Sequence, residues 1–372
     1  MNVLVLFTYK VSISDWKKAG IIDREFKLYK QIYEYKKISY SFVTYGNDND
    51  FIHQLEKFNV LPLYSKIKYR NSSLIQFFNS LRVLYIFKNE IKNCTIIKTN
   101  QLNGSWVGIL AKLFYKKKLI IRTGYDLLYF SKLQNKSFFK LLFFKLLTGI
   151  SLKFADYYIV SSSADRERLI LKYGIKYDSK IKINSNWIEY PEKVKNLSSR
   201  NEKLIAVGRL EHQKNYSNLL KIISKSGLYI DIFGEGKERR ELENLINKYD
   251  IKANLKGKIE NRNLQKLYQD YKYFVLNSHY EGNPKALLEA MASGCVVIVR
   301  YHENLKEVII DKDNGIFYNS DDELEKILMS LKDYDLNRIS ISARAYVKNN
   351  TTLDQHINKE LQLYKHLAGE SS

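Results

Sequence analysis

Cysteine, proline and uninterrupted apolar runs are all scarce in this chain. The two cysteines, Cys94 and Cys295, fall in different halves with no partners at metal-ligand spacing. That excludes a disulfide scaffold or a cysteine metal site and leaves two buried thiols in a reducing compartment. No apolar stretch is long enough to span a bilayer. The opening run Met1 to Phe7 is too short for a signal h-region and lacks a small-residue cleavage site, so it reads as a first core strand. A cytosolic protein is expected, though not one kept away from membranes. Three prolines and no polar low-complexity tract leave little room for extended linkers. No short internal repeat stands out.

What remains is ample for packed structure. The 372 residues, 45% of them hydrophobic, suffice for two domains of ordinary size. Both halves alternate strand-like and helix-like segments, the pattern of doubly wound α/β domains. In the first half the strand-like runs are Val3–Phe7, Tyr40–Tyr45, Thr95–Lys98, Leu119–Arg122, Tyr157–Val160 and Ile181–Ile183. The polar stretch from Tyr190 to Glu202, with Pro191, reads as an interdomain linker. The predicted domains are therefore 1–190 and 191–352, with a final helix in 353–372.

Charge is unevenly placed. Residues 1–190 hold 32 Lys/Arg against 14 Asp/Glu, whereas the remainder holds 29 against 26. The first half is thus the one suited to a large polyanion, either nucleic acid or an anionic membrane surface. Its most membrane-like stretch is Lys136 to Lys153, KSFFKLLFFKLLTGISLK. That segment reads equally well as an interfacial helix with snorkelling lysines or as a helix buried on a sheet.

The chemistry concentrates between Asn277 and Arg300. Tyr273–Leu276 reads as a buried strand, Pro284–Ser293 as a helix and Cys295–Val299 as the next strand. Asn283 is the expected N-cap and Pro284 the first helical residue. The helix then presents free N–H groups and the positive end of its dipole to the loop, an arrangement suited to phosphate. Glu281 precedes the helix and Glu289 lies within it. Carboxylates are repelled by phosphate but hold diols well, at about 1.5–3 kcal/mol per charge-assisted hydrogen bond. A central anion flanked by hydroxyl-bearing rings describes a nucleotide-sugar.

The surrounding pattern, S-x-x-E-G-x-P-x-x-x-L-E-A-M-A-x-G, with Ala206-Val207-Gly208-Arg209-Leu210, Lys214-Asn215 and Phe233-Gly234-Glu235-Gly236 upstream, resembles the retaining glycosyltransferases of family four. The likeness covers the second half well and the first half loosely. It implies the GT-B fold: two Rossmann-like domains facing each other across a cleft, the first binding acceptor and the second donor. In this fold the last helix often returns to the first domain.

Carried over by resemblance, Arg209 and Lys214 contact the donor diphosphate and Glu281 acts with them in catalysis. Gly208, Gly234, Ile259, Gly282, Asn283, Pro284, Lys285, Ala286 and Glu289 complete the donor site, with Glu289 on the ribose diol. In the first half Gly20 stands where the family carries a glycine pair, and Arg122, Gly124, Tyr125 and Asp126 stand where many members carry a histidine that this chain lacks. Asp126 suits either a hydroxyl ligand or a helix cap, and Trp16 either an acceptor platform or a packed aromatic. The resemblance further implies retention of anomeric configuration and no cofactor or required metal. Asp311-Lys312-Asp313 has the bare spacing of a cation motif but an unrelated context.

The expected function is transfer of a sugar from a nucleotide-diphosphate donor to a glycan or lipid-linked acceptor at the inner face of the cell membrane, as in bacterial surface polysaccharide or lipopolysaccharide assembly. A nucleotide-sugar epimerase or hydrolase of the same fold is the alternative. A nucleic-acid-binding protein is a third reading, but the chain lacks any recognisable module for it.

Overall fold

The computed structural model describes residues 1–53 and 58–369. The chain divides into two compact units, Met1–Ser185 with the segment from Ile357 onward, and Asn186–His356.

The first unit is built on seven parallel strands: β1 (Asn2–Leu6), β2 (Ser39–Thr44), β3 (Phe58–Pro62), β4 (Ile96–Thr99), β5 (Lys118–Arg122), β6 (Tyr157–Val160) and β7 (Ile181–Ile183). Their order is β3-β2-β1-β4-β5-β6-β7. Leu4 lies opposite Ser41 on one side and Ile97 on the other. Strands covered by helices on both faces need apolar residues at nearly every position, and β1 from Val3 to Leu6 is buried throughout. One strand of this sheet escaped the sequence reading. β3, FNVLP, carries Asn59 and ends in proline, which an edge strand tolerates because its outer side needs no donor.

The second unit has six parallel strands: β8 (Asn201–Val207), β9 (Ile230–Phe233), β10 (Ala253–Gly257), β11 (Tyr271–Leu276), β12 (Val296–Arg300) and β13 (Ile316–Tyr318), in the order β10-β9-β8-β11-β12-β13. Phe274 pairs with Val297 and Ile205 on its two sides. The helix Lys285–Ala292 is packed almost all round, with Leu287, Leu288, Ala290, Met291 and Ala292 fully buried. In both sheets the strand order reverses between the first strand and its rightward neighbour, β1/β4 and β8/β11. Ligands of open parallel sheets bind at the carboxyl ends of strands beside such a reversal.

Ile13–Ala19 is a helix with a Ser12/Asp15 capping box, and Gly20 (φ 70°) is its left-handed terminator. The last helix, Leu353–Ala368, is carried by the first unit from Ile357 onward; residues 370–372 of the predicted 353–372 segment lie outside the described residues. Within that unit Lys98 of β4 and Glu360 form a fully buried ion pair, and the Tyr364 hydroxyl donates to the same carboxylate. Burial pulls the Lys98 ammonium below its usual range, opposed by Glu360. Among the described residues no helix is long and apolar enough to cross a membrane.

Candidate functional site

The loops after β8 and β11, at the reversal of the second sheet, are stitched together. Asn277 Nδ2 donates to Asn215 O (3.0 Å), Gln213 Nε2 to Tyr280 O (3.0 Å) and His279 N to Gln213 O (2.8 Å). At the centre of this seam Lys214 Nζ donates to Glu281 Oε1 at 2.6 Å, with side chains only 14% and 6% exposed. The sequence had given these two groups separate tasks. The structure makes them one unit, because β8 and β11 are hydrogen-bonded neighbours whose ends bring the two loops together.

Behind the seam Asn277 Oδ1 accepts from Arg300 Nε (3.0 Å) and from the Tyr318 hydroxyl (2.7 Å). His302 Nε2–H donates to Ser278 O at 2.8 Å. Burial lowers the His302 pKa below its ordinary value, opposed by that hydrogen bond and by Glu281. His279 is also lowered, first by burial and then by His212, whose ring stacks on it with centroids 4.8 Å apart. These histidines were not singled out from sequence, since nothing in their spacing links 212, 279 and 302.

Arg209, at the exposed end of β8, lies 3.2 Å from Glu211. The adjoining turns pack backbone on backbone: Gly208 N donates to Phe233 O, and Gly234 N to Gly257 O. A Cβ on Gly234 (φ +150°) would stand 1.8 Å from Gly208 O, so only glycine fits this close approach. Ile259 is half-buried just beyond β10.

Asn283 does not cap the following helix, contrary to expectation. Pro284 is the N-cap (φ −72°, ψ 116°), the helix starts at Lys285, and no side chain caps it. Pro284 is itself extended, so the helix begins one residue later, and the Asn283 amide is already engaged: its Oδ1 accepts from Asn186 N (2.9 Å), while Asn186 Nδ2 donates to Asn283 O (2.7 Å). The first turn of the helix, with Ala286, follows directly on Glu281 and Gly282, and its N-cap Pro284 offers it no side-chain hydrogen bond. Lys285 Nζ lies over the Trp187 ring, and Glu289 is half-buried one turn on.

In the first unit, Arg122, Gly124, Tyr125 and Asp126 follow one another at the carboxyl end of β5. Gly124 N donates to Gln101 Oε1 (3.0 Å) and Gly124 O accepts from Ser161 Oγ (2.9 Å). Asp126 is an N-cap, its Oδ1 accepting from Leu128 N and Tyr129 N at 3.0 Å. Burial raises its pKa in spite of those bonds. Trp16 is core: it is 5% exposed and stacks on Phe7 at 4.2 Å, so its ring offers no platform.

Residues 190–351 match the family Glycosyl transferases group 1. A Campylobacter jejuni enzyme, GalNAc-alpha-(1->4)-GalNAc-alpha-(1->3)-diNAcBac-PP-undecaprenol alpha-1,4-N-acetyl-D-galactosaminyltransferase, is 27% identical over 76% of each chain. Among solved structures, sucrose-phosphate synthase of Thermosynechococcus elongatus superposes over 100% of both chains (TM-score 0.79, 16% identity). Anabaena HepE in complex with UDP and glucose does so over 98% of this chain and 100% of its own (TM-score 0.75, 14% identity).

The two wound sheets place the protein in the GT-B class of α/β folds. The chain is an enzyme, a glycosyltransferase. The span that matches Glycosyl transferases group 1 contains the Lys214–Glu281 seam.

Proposed function

We propose that the second unit holds a nucleotide-diphosphate sugar at the Lys214–Glu281 seam and that its sugar passes, with retained anomeric configuration, to an acceptor bound by the first unit. The observation that carries this reading is the buried ion pair at the strand reversal, beside an uncapped helix start. Lysine has three donors, so Lys214 can keep Glu281 in place with one and meet phosphate oxygens with the others. Arg209, exposed and paired only with the half-exposed Glu211, supplies a planar fork for the same diphosphate.

In the reaction the bond between the anomeric carbon and the phosphate oxygen breaks, and its electron pair stays on the leaving diphosphate. Positive charge builds at the anomeric carbon. Lys214, Arg209 and the N–H groups of Lys285 and Ala286 stabilise the departing anion, the kind of preorganised electrostatic help that supplies much of many rate enhancements. The acceptor hydroxyl bonds to the anomeric carbon and gives its proton to a leaving phosphate oxygen. Glu281 accepts from sugar hydroxyls and Glu289 from the ribose diol. With three cationic or dipolar groups on the anion, no metal ion is required. Ile259 and the Gly208–Gly234 contact shape the base and phosphate walls.

The Campylobacter relative is named for an undecaprenol-diphosphate-linked glycan. We extend that acceptor class to this chain: a lipid-linked glycan of bacterial surface polysaccharide or lipopolysaccharide assembly, met at the cytoplasmic face through the basic first unit, with Arg122, Gly124, Tyr125 and Asp126 on its acceptor side.

The test is a panel of nucleotide-sugars scored for thermal stabilisation, followed by product analysis with and without a lipid-linked acceptor. A donor that stabilises the protein and loses its sugar only when acceptor is present supports transfer. Conversion of the donor with no acceptor would mean an epimerase or hydrolase instead.

A further inference from the structure

The helix Phe138–Phe154 buries only Leu147, Thr148, Ser151 and Leu152. Its outward side chains are apolar: Phe138 is 72% and Phe139 81% exposed, and Leu142, Phe143, Leu146 and Ile150 are exposed with them. At about 100° per residue these six fall within one stripe of about 140°, centred opposite the buried four. Lys145 lies about 20° beyond one edge of the stripe and Lys140 about 60° beyond the other. An exposed apolar patch of this kind on a water-facing helix marks an interaction surface.

The charge around it selects the occupant. From Phe58 to Ala155 the sequence holds 17 Lys/Arg and two carboxylates, Glu90 and Asp126. A second copy of the chain would bring the same lysines against themselves across a symmetric interface, whereas an anionic lipid surface attracts them and accepts the phenylalanines. The stripe also continues inward through aromatic rings. Phe143 meets Trp106 (centroids 6.2 Å), and Trp106 meets Tyr9 (5.1 Å), which follows β1 at its carboxyl end. A membrane against this helix therefore abuts the strand ends of the first unit.

We propose that the 138–150 stripe inserts into an anionic bilayer, with Lys140 and Lys145 at headgroup depth. This presents a lipid-anchored acceptor to the strand ends. The inference rests on the reading of the acceptor as lipid-linked, but its test does not use turnover.

The full-length protein is sedimented with vesicles of phosphatidylcholine containing about one-third phosphatidylglycerol, and with pure phosphatidylcholine; Trp106 emission serves as a second reporter. Binding is expected to the anionic vesicles only. It should fall at least tenfold in Phe138→Ser/Phe139→Ser and in Lys140→Glu/Lys145→Glu. Both variants should keep the wild-type melting temperature, because all four side chains are exposed. Wild-type binding by the phenylalanine variant would overturn the proposal, as would failure of the wild type to bind anionic vesicles. Concentration-dependent dimerisation without lipid, abolished by the same variant, would assign the stripe to a second copy and also overturn it. Vesicle binding without any sugar transfer would leave this surface standing and remove the proposed reaction; transfer to a detergent-dispersed acceptor without vesicle binding would do the reverse.

Discussion

Replacing Lys214 with methionine keeps most of its volume and removes its charge. Glu281, 6% exposed, then loses its cation. Orphaning one partner of a buried pair costs about 3–5 kcal/mol. In a unit of this size each kcal/mol moves the melting temperature by about 2–4 °C, so a fall of at least about 6 °C is expected. Turnover should fall about 10²–10³-fold as one stabiliser of the leaving group is lost. Glu281→Gln alone should cost less stability, since Lys214 at 14% exposure reaches water more readily. The double variant Lys214→Met/Glu281→Gln is decisive: it should recover most of the lost stability and none of the turnover, with a coupling free energy above about 1 kcal/mol in the cycle. Thermal denaturation and chromatographic assay of released nucleoside diphosphate read the two quantities. A double variant no more stable than Lys214→Met, or full turnover in any of the three, would refute the reasoning.

Gly234→Ala would drive a methyl group into Gly208 O and strain a left-handed backbone, so it should cost more than about 2 kcal/mol by denaturant titration and weaken donor binding. His302, held neutral by burial, has a folded pKa below its ordinary 6.5; the unfolded chain binds the extra proton, so stability is complete above that value and is lost as pH falls beneath it. His302→Gln, which still offers an Nε2–H to Ser278 O, should flatten melting temperature between pH 7.5 and 5.5. Lys98→Met should lose about 3–5 kcal/mol by leaving the Glu360 carboxylate buried without its cation, while Lys98→Met/Glu360→Gln regains most of it in calorimetry. Chelation with EDTA should leave sugar transfer unchanged in a coupled assay.

Local signals carried much of this architecture. β1, β11 and β12 are apolar runs that only a buried parallel sheet satisfies, and they were legible at once. The strands that were not, β3 and β13, are edge strands: Asn59 and Pro62 blur the first, and the second is only three residues long. Glu281, Glu289, Arg209 and Lys214 were picked out through the motifs around them, which resemble those of a known family; taken one at a time each reads as an ordinary surface charge. Their pairing was not legible. Lys214 and Glu281 are 67 positions apart, and Asn186 and Asn283 are 97 apart; both contacts exist only once the sheet has set its order. Trp16 shows the converse limit: its sequence position allows an acceptor platform or a packed aromatic, and only Phe7 and Phe26 against its ring decide for the core.

The burial of Glu360 against Lys98 has a consequence for biogenesis. The carboxylate that neutralises an amine inside the first sheet is encoded 262 positions later. At about 5–20 residues per second a ribosome needs about 13–50 s to bridge that gap. The unit that emerges first is thus completed last. The residues 186–356 between form one contiguous compact unit. A nascent chain released before Glu360 would leave a bare ammonium in a finished sheet, marking that half of the molecule for proteolysis.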